Sequence, residues 1–203
     1  MKTGMTVVVG LGNPGPAYRS TRHNVGFMTL DELAEELGVA FFQEKYGGLV
    51  AKGRHEGRRL LLFKPLTFVN RSGESVRRAL RYTAARVSDV LVVLDDVHLS
   101  LGRLRLRLQG SAGGHKGLQS IIDCLGTEEF ARLRIGIGNN SREGQLADYV
   151  LDPFAPEELE TIRQSVRQAA EIVLIFAEAG AERAMNACNA PTARLRRAQQ
   201  ELR

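Results

Sequence analysis

The chain has 203 residues, 43% of them hydrophobic and 25% charged, the proportions of one globular domain with room for a full core. Its 28 basic and 23 acidic residues give a formal net charge of +5, which suits a polyanionic partner. No apolar run approaches the roughly 18 residues that span a bilayer, no secretory leader precedes the first strand, and Cys124 and Cys188 are too far apart for a CxxC pair or a thiolate metal site, so the expectation is a cytoplasmic protein, not a membrane protein, with two reduced packing cysteines.

Residues 5–11 read as a first strand, short and apolar. It runs into Gly10-x-Gly12-x-x-Gly15, the spacing of a dinucleotide-binding fingerprint. Pro14 and Pro16 stand where the fingerprint's helix should open, and the helical stripe Phe27, Leu30, Leu33, Ala34, Leu37 starts only later. The acid that would hold a ribose should end a second strand about 20 residues on, yet Asp31 and Glu32 fall inside that helix. The segment after Gly15 therefore reads as a long loop. Its interest is that Asn13, Tyr18, His23 and Asn24 arrive together on it.

Strands over 48–52 and 59–64 flank His55-Glu-Gly-Arg58, a tight turn that makes them antiparallel neighbours. Lys64-Pro-Leu-Thr-Phe-Val-Asn-Arg-Ser-Gly73 ends the second of these and leads into a helix over 72–85, which Asn70 or Ser72 could cap. The strand over 90–94 delivers Asp95-Asp96-Val97-His98, carboxylates at a strand's carboxyl end. Over 104–108, leucines alternate with Arg105 and Arg107, and with Arg103 they place three guanidinium groups on one face. The glycine-rich loop 110–117 precedes a helix over 117–125, and free N–H groups at such a start suit a phosphate or a developing oxyanion. A strand over 133–137 and a long helix over 157–178 follow, then a basic tail over 192–203. This order predicts an α/β fold in one domain, residues 1–191, a three-layer α/β/α sandwich around a mixed, centrally parallel sheet. Ligands belong at the carboxyl ends of its strands.

Taken together, Gly-Leu-Gly-Asn-Pro-Gly at 10–15, Tyr18, Thr-Arg-His-Asn-Val-Gly at 21–26, the 64–73 segment, Asp95-Asp96, Gly-Gly-His-Lys-Gly-Leu at 113–118 and Leu-Arg-Ile-Gly-Ile-Gly at 133–138 resemble the bacterial peptidyl-tRNA hydrolase family. The motifs stand in the family's order and close to its spacing. The resemblance implies a monomer without metal or other cofactor. Its partner would be peptidyl-tRNA dropped from ribosomes, and its reaction hydrolysis of the ester between the peptide and the terminal ribose. It further implies that His23 acts as general base on water, that Asp95 orients and polarises it, and that Asn13 senses a blocked amino group. Tyr18, Phe68 and Asn70 would position substrate, and Arg105, Arg107 and Arg134 would meet tRNA backbone.

Two positions depart from the family's pattern. Val69 replaces a common methionine, and Lys116 replaces a usual asparagine in the glycine loop. Lysine donates but cannot accept a hydrogen bond; Lys116 is expected to bind a substrate oxygen or oxyanion and to make a nearby His23 less basic. The competing expectation is an RNA-binding protein on the same scaffold that has lost catalysis, as in chloroplast splicing factors resembling the family; such a protein has no chemical need for His23 and Asp95. His115, beside the glycine loop, is a further candidate for the site, while His55 and His98 read as surface residues.

Overall fold

The computed structural model describes residues 4–139 and 145–190. Seven strands form one sheet: β1 Met5–Gly10, β2 Gln43–Lys45, β3 Gly48–His55, β4 Arg58–Pro65, β5 Val90–Asp96, β6 Leu104–Arg107 and β7 Ala131–Gly136, in the order β2-β3-β4-β1-β5-β7-β6. The centre, β4-β1-β5-β7, is parallel, and β2, β3 and β6 add antiparallel edges. This is the expected mixed, centrally parallel sheet in a single α/β domain.

The period of a strand explains the layers. Successive side chains of a strand point to opposite faces, so Val8 of β1 and Leu91 and Val93 of β5 join one core, while Val7, Val9, Val92 and Leu94 join another. The first core is closed by α1 Val25–Glu36 and α5 Leu159–Ala179 through Leu30, Leu33, Ala169 and Val173. The second is closed by α2 Ser72–Thr83 and α3 Lys116–Leu125 through Val76, Ala79, Leu118 and Ile121. Val7, Val8 and Val9 are all fully buried, which is why β1 reads as an unbroken apolar run.

Three elements escape the sequence pattern. β2 is Gln-Glu-Lys, wholly exposed, and exists only because a two-residue turn folds it onto β3. The short α4, Leu146–Leu151, buries Tyr149 alone. Gly180, at φ 87°, ends α5 and starts α6 Ala181–Asn189, so one apparent helix end conceals a second helix. α6 rests on β6, where Asn189 accepts from the Leu106 N–H at 3.0 Å and donates to its carbonyl at 2.9 Å. Neither Asn70 nor Ser72 caps α2; a 3-10 turn over Val69–Arg71 feeds directly into the helix, and the Ser72 hydroxyl is buried without a partner. Cys124 and Cys188 are free, as expected, and burial pushes the Cys188 thiol up to about 11. The basic tail lies outside the described residues.

The glycines of the first loop serve close packing. A Cβ on Gly26 would lie 2.5 Å from the carbonyl oxygens of Leu11 and Val93, so only glycine lets the start of α1 rest on the ends of β1 and β5. A Cβ on Gly10 would in turn meet the Gly26 carbonyl oxygen at 2.5 Å. Gly26→Ala is therefore expected to destabilise the fold by about 2 to 3 kcal/mol, a drop of roughly 5 to 10 °C in the thermal midpoint for a chain of this size; calorimetry on the variant checks it.

Candidate active site

The chain leaves β1 through α1 on one face of the sheet and returns from β4 to β5 through α2 on the other. The order of strands therefore reverses between β1 and β5, and a crevice opens outside their carboxyl ends. β1 delivers Asn13 to it and β5 delivers Asp95.

Asn13 is locked before any ligand arrives. Its N–H donates to Asn24 Oδ1 at 2.9 Å, and Asn24 Nδ2 donates back to the Asn13 carbonyl at 3.0 Å. Asn13 Oδ1 accepts the Val69 N–H at 3.1 Å, which assigns the other side-chain position to its NH₂ group and leaves that group as the donor facing the crevice.

His23 sits on a 3-10 turn, Arg22–Asn24, anchored on both sides. Asn24 is half of the clamp just described. Arg22 turns inward, bonds Glu158 at 2.6 Å and the Pro153 carbonyl, and lies over the Tyr149 ring at 4.4 Å. Its charge is thus paired and its stem packed, which holds the His23 turn against α4 and the start of α5.

Asp95, 3% exposed, is the hub. One oxygen, Oδ1, accepts from His23 Nδ1 at 2.7 Å and from His115 Nε2 at 3.0 Å, and the two rings lie 4.9 Å apart. His115 Nδ1 accepts the Leu118 N–H at 3.1 Å, so this ring carries its proton on Nε2. The start of α3 is thereby spent on fixing an imidazole, which the glycine-loop pattern alone could not reveal. With Nδ1 of His23 donating to Asp95, its Nε2 keeps a free lone pair at the crevice.

The electrostatics follow from this geometry. Burial pushes the Asp95 carboxyl up, but the attraction and hydrogen bonds of His115 and His23 outweigh it and hold the group well below the usual carboxylate range. Burial opposes charge on His23, yet the Asp95 carboxylate and its hydrogen bond prevail, and the ring's pKa rises above the ordinary 6.5. The expected lowering by Lys116 is not found: the forces that set His23 are burial and Asp95.

A cavity of about 590 Å³ opens over this pair, lined by Asn13, Tyr18, His23, Phe68, Asn70 and Lys116, with Leu146, Val150 and Leu151 of α4 as an apolar wall. All the expected substrate-side residues except Arg105 and Arg107 meet here. Phe68 is 60% exposed, a ring open to stacking. Lys116 is exposed at the first position of α3 and makes no ion pair among the described residues. The α4 wall had no signal in the sequence, because its apolar residues are too few to show a period.

The arginines divide. Arg105 and Arg107 stand on β6 opposite Arg134 and Arg132 and border a neighbouring hollow of about 680 Å³. Arg134 also reaches the first cavity, but its guanidinium is engaged by Asp96 at 3.1 Å and by the Ser111 carbonyl at 3.0 Å, so it braces the glycine loop. Arg132 is buried against the carbonyls of Phe130, Gly110 and Glu128.

Among the described residues, His23, Asp95 and His115 are the one group of donors close enough together for a metal ion. Their N–O spacings of 2.7 and 3.0 Å are those of N–H···O bonds; a metal between them would need both nitrogens stripped of their protons and each ligand atom about 2.0 to 2.2 Å from the ion. The trio is built as a hydrogen-bonded unit.

An imidazole base held by a buried carboxylate, at the switch point of an α/β sheet and beside a cavity with a free amide donor, is equipment for activating water in a hydrolase. A family model described as peptidyl-tRNA hydrolase matches residues 7–197. The chain is 43% identical over 185 residues to a peptidyl-tRNA hydrolase of Lachnospira eligens, covering 91% of this chain and 100% of that one, and 48% identical over 167 residues to one of Bacillus licheniformis, covering 82% and 89%. The crystal structure of peptidyl-tRNA hydrolase from Acinetobacter baumannii superposes with a TM-score of 0.87 at 32% identity, over 94% of this chain and 96% of that one. The chain belongs to the peptidyl-tRNA hydrolase family.

The His23–Asp95 pair is open to direct titration. Followed by NMR, the His23 ring is expected to take up its second proton above pH 6.5; in Asp95→Asn only burial remains, and the midpoint should fall below 6.5. An unchanged midpoint in the variant would remove Asp95 as the cause.

Proposed function

We propose that the chain hydrolyses the ester between a peptide and the 3′-terminal ribose of tRNA, with His23 as the base. The observation that carries this reading is the 2.7 Å bond from His23 Nδ1 to Asp95, which fixes the tautomer and leaves Nε2 facing the cavity. Nε2 takes a proton from water as the oxygen attacks the ester carbonyl. The tetrahedral intermediate then expels the ribose oxygen, which receives that proton from the imidazolium, giving a peptide with a free carboxyl group and a tRNA with a free terminal hydroxyl. Asp95 stabilises the imidazolium between the two transfers, and such a base contributes about 10² to 10⁴ in rate.

Asn13 supplies the selection. Its free NH₂ donates to the carbonyl of the substrate's first peptide bond; the ammonium of an unblocked aminoacyl ester offers only donors to that same group. Lys116, a cation at the start of α3 without an ion pair among the described residues, donates to the developing oxyanion. Tyr18, Phe68 and Asn70 hold the terminal nucleoside and the ester, and Arg105 and Arg107 meet phosphates outside the cavity, with Arg134 bracing the loop beside them. The chain works in this reading as a cytoplasmic monomer that needs no cofactor. No helix among the described residues is long and apolar enough to cross a membrane.

The test uses N-acetylaminoacyl-tRNA and its unacetylated counterpart. Only the acetylated ester should be cleaved, dialysis against a chelator should leave the rate unchanged, and His23→Ala should cut turnover by about 10³ or more while tRNA affinity stays within about twofold. Equal loss of turnover and affinity would make His23 a structural residue, and cleavage of neither ester would leave an RNA-binding protein. Lys116→Asn should keep the pH profile of the parent, since Lys116 does not set the His23 proton affinity, and should lose no more than about tenfold in rate, because asparagine still donates to the oxyanion but without the charge. A large loss would assign the lysine a required role of its own.

A further inference from the structure

The solvent face of α2 carries a charge pattern that the proposed reaction does not use. At 100° per residue, Arg77, Arg81, Arg78 and Tyr82 fall on one arc, opposite the buried Val76, Ala79 and Leu80. The three arginines are exposed and make no ion pair among the described residues. The only acid on the helix, Glu74, is held by Arg71 at 3.2 Å. Arg77 and Arg78 share with Arg71 the field of that one carboxylate, which they help hold below its ordinary range; one acid does not balance the cations on these adjacent turns, and a bound polyanion relieves the remaining repulsion.

A second, independent feature stands beside them. The turn between β2 and β3 is two residues, Tyr46 and Gly47, both in the left-handed region at φ 63° and 78°. That turn favours Asn-Gly, and tyrosine is disfavoured at its first position. What tyrosine supplies there is a ring: Tyr46 stacks on Tyr82 at 5.5 Å with 18° between planes, and Tyr82 is 74% exposed. The Ser75 hydroxyl donates to the Gly47 carbonyl at 3.1 Å and pins this turn to α2. The result is a rigid aromatic platform with an open outer face, flanked by Arg78 and Arg81.

We infer that α2 and the β2–β3 turn form a second RNA-binding surface, in which Arg77, Arg78 and Arg81 contact successive phosphates of a single-stranded segment and Tyr82 stacks one unpaired base. Arginines alone would accept any polyanion; an exposed ring buttressed by a second ring matches the flat face of a base. The surface is separate from the β6 arginines. The catalytic cavity shares Arg134 with the hollow on the β6 side, and shares Asn70 and Lys116 with a groove of about 470 Å³ that runs between the first turn of α2, at Arg71 and Glu74, and α3, and whose lining includes none of Arg77, Arg78, Arg81 and Tyr82. β6 and the β2–β3 turn stand at opposite edges of the seven-stranded sheet, so a tRNA held at β6 leaves the α2 surface to a different stretch of RNA.

The test is fluorescence anisotropy of the full chain with a short, labelled, single-stranded RNA of mixed sequence, over a salt series. The triple variant Arg77→Gln, Arg78→Gln, Arg81→Gln should bind about tenfold more weakly or worse, with a salt slope shallower by about 2, since each lost phosphate contact on a single strand removes about 0.7. Tyr82→Ala should lose about fivefold or more. The double variant Arg105→Gln, Arg107→Gln should retain this binding, and the α2 variants should cleave N-acetylaminoacyl-tRNA at the parent's rate with saturating substrate, which also shows that they fold. Unchanged affinity in the triple variant overturns the inference. So does equal competition by polyglutamate with Tyr82→Ala silent, which would make α2 a surface for acidic protein. Failure of the parent to cleave any ester would count against the proposed reaction and leave these binding results standing.

Discussion

A single buried oxygen, Asp95 Oδ1, organises the centre of this molecule. It accepts two N–H groups from imidazoles on different segments, one before α1 and one before α3, and so ties together the two helical layers at the end of the sheet. A carboxylate buried without such donors would be protonated or would destabilise the fold, because the desolvation of a lone charge is large. The bonds that keep it ionised also orient the rings of His23 and His115. The burial of the carboxylate and the orientation of both rings therefore have one origin.

The remaining packing serves that oxygen. Gly10 and Gly26 allow α1 to begin in contact with β1 and β5, which sets His23 within reach of Asp95. The reciprocal bonds of Asn13 and Asn24 fix the loop between them, and the inward Arg22 holds the same turn from its other side. Gly117 has a comparable part at α3, where a Cβ would come within 3.1 Å of the His115 ring and of Leu11. Each of these contacts restricts a loop that would otherwise move freely, so the ordering cost of the site is met at folding and not at binding.

Charge is then distributed around this neutral-to-acidic centre. Arg132 and Arg134 are consumed by backbone carbonyls and Asp96, whereas Arg105 and Arg107 remain at the edge strand and Lys116 at the mouth of the cavity. The inward pair shapes the glycine loop; the outward groups line the two hollows and make no ion pair among the described residues. Lys64 shows the same economy on the other flank: it is buried against Phe27 and Phe41 and paired with Asp31, and burial lowers its proton affinity despite that partner.

The sequence by itself determined the layer order, because period-two and helical spacing report which faces must leave water. It also singled out Asn13, His23, Asn70, Asp95 and the glycine loop through motifs that resemble one family, and the structure brings these residues to one cavity. It did not determine β2, α4 or α6, whose apolar content is too small to show a period, nor the use of Arg134 and His115, whose side chains could as well face solvent or a phosphate. Those were decided by tertiary structure. A hydrogen bond between residues 23 and 95, or a tyrosine stack between 46 and 82, depends on where the sheet brings two distant segments, and local propensity carries no information about such a distance.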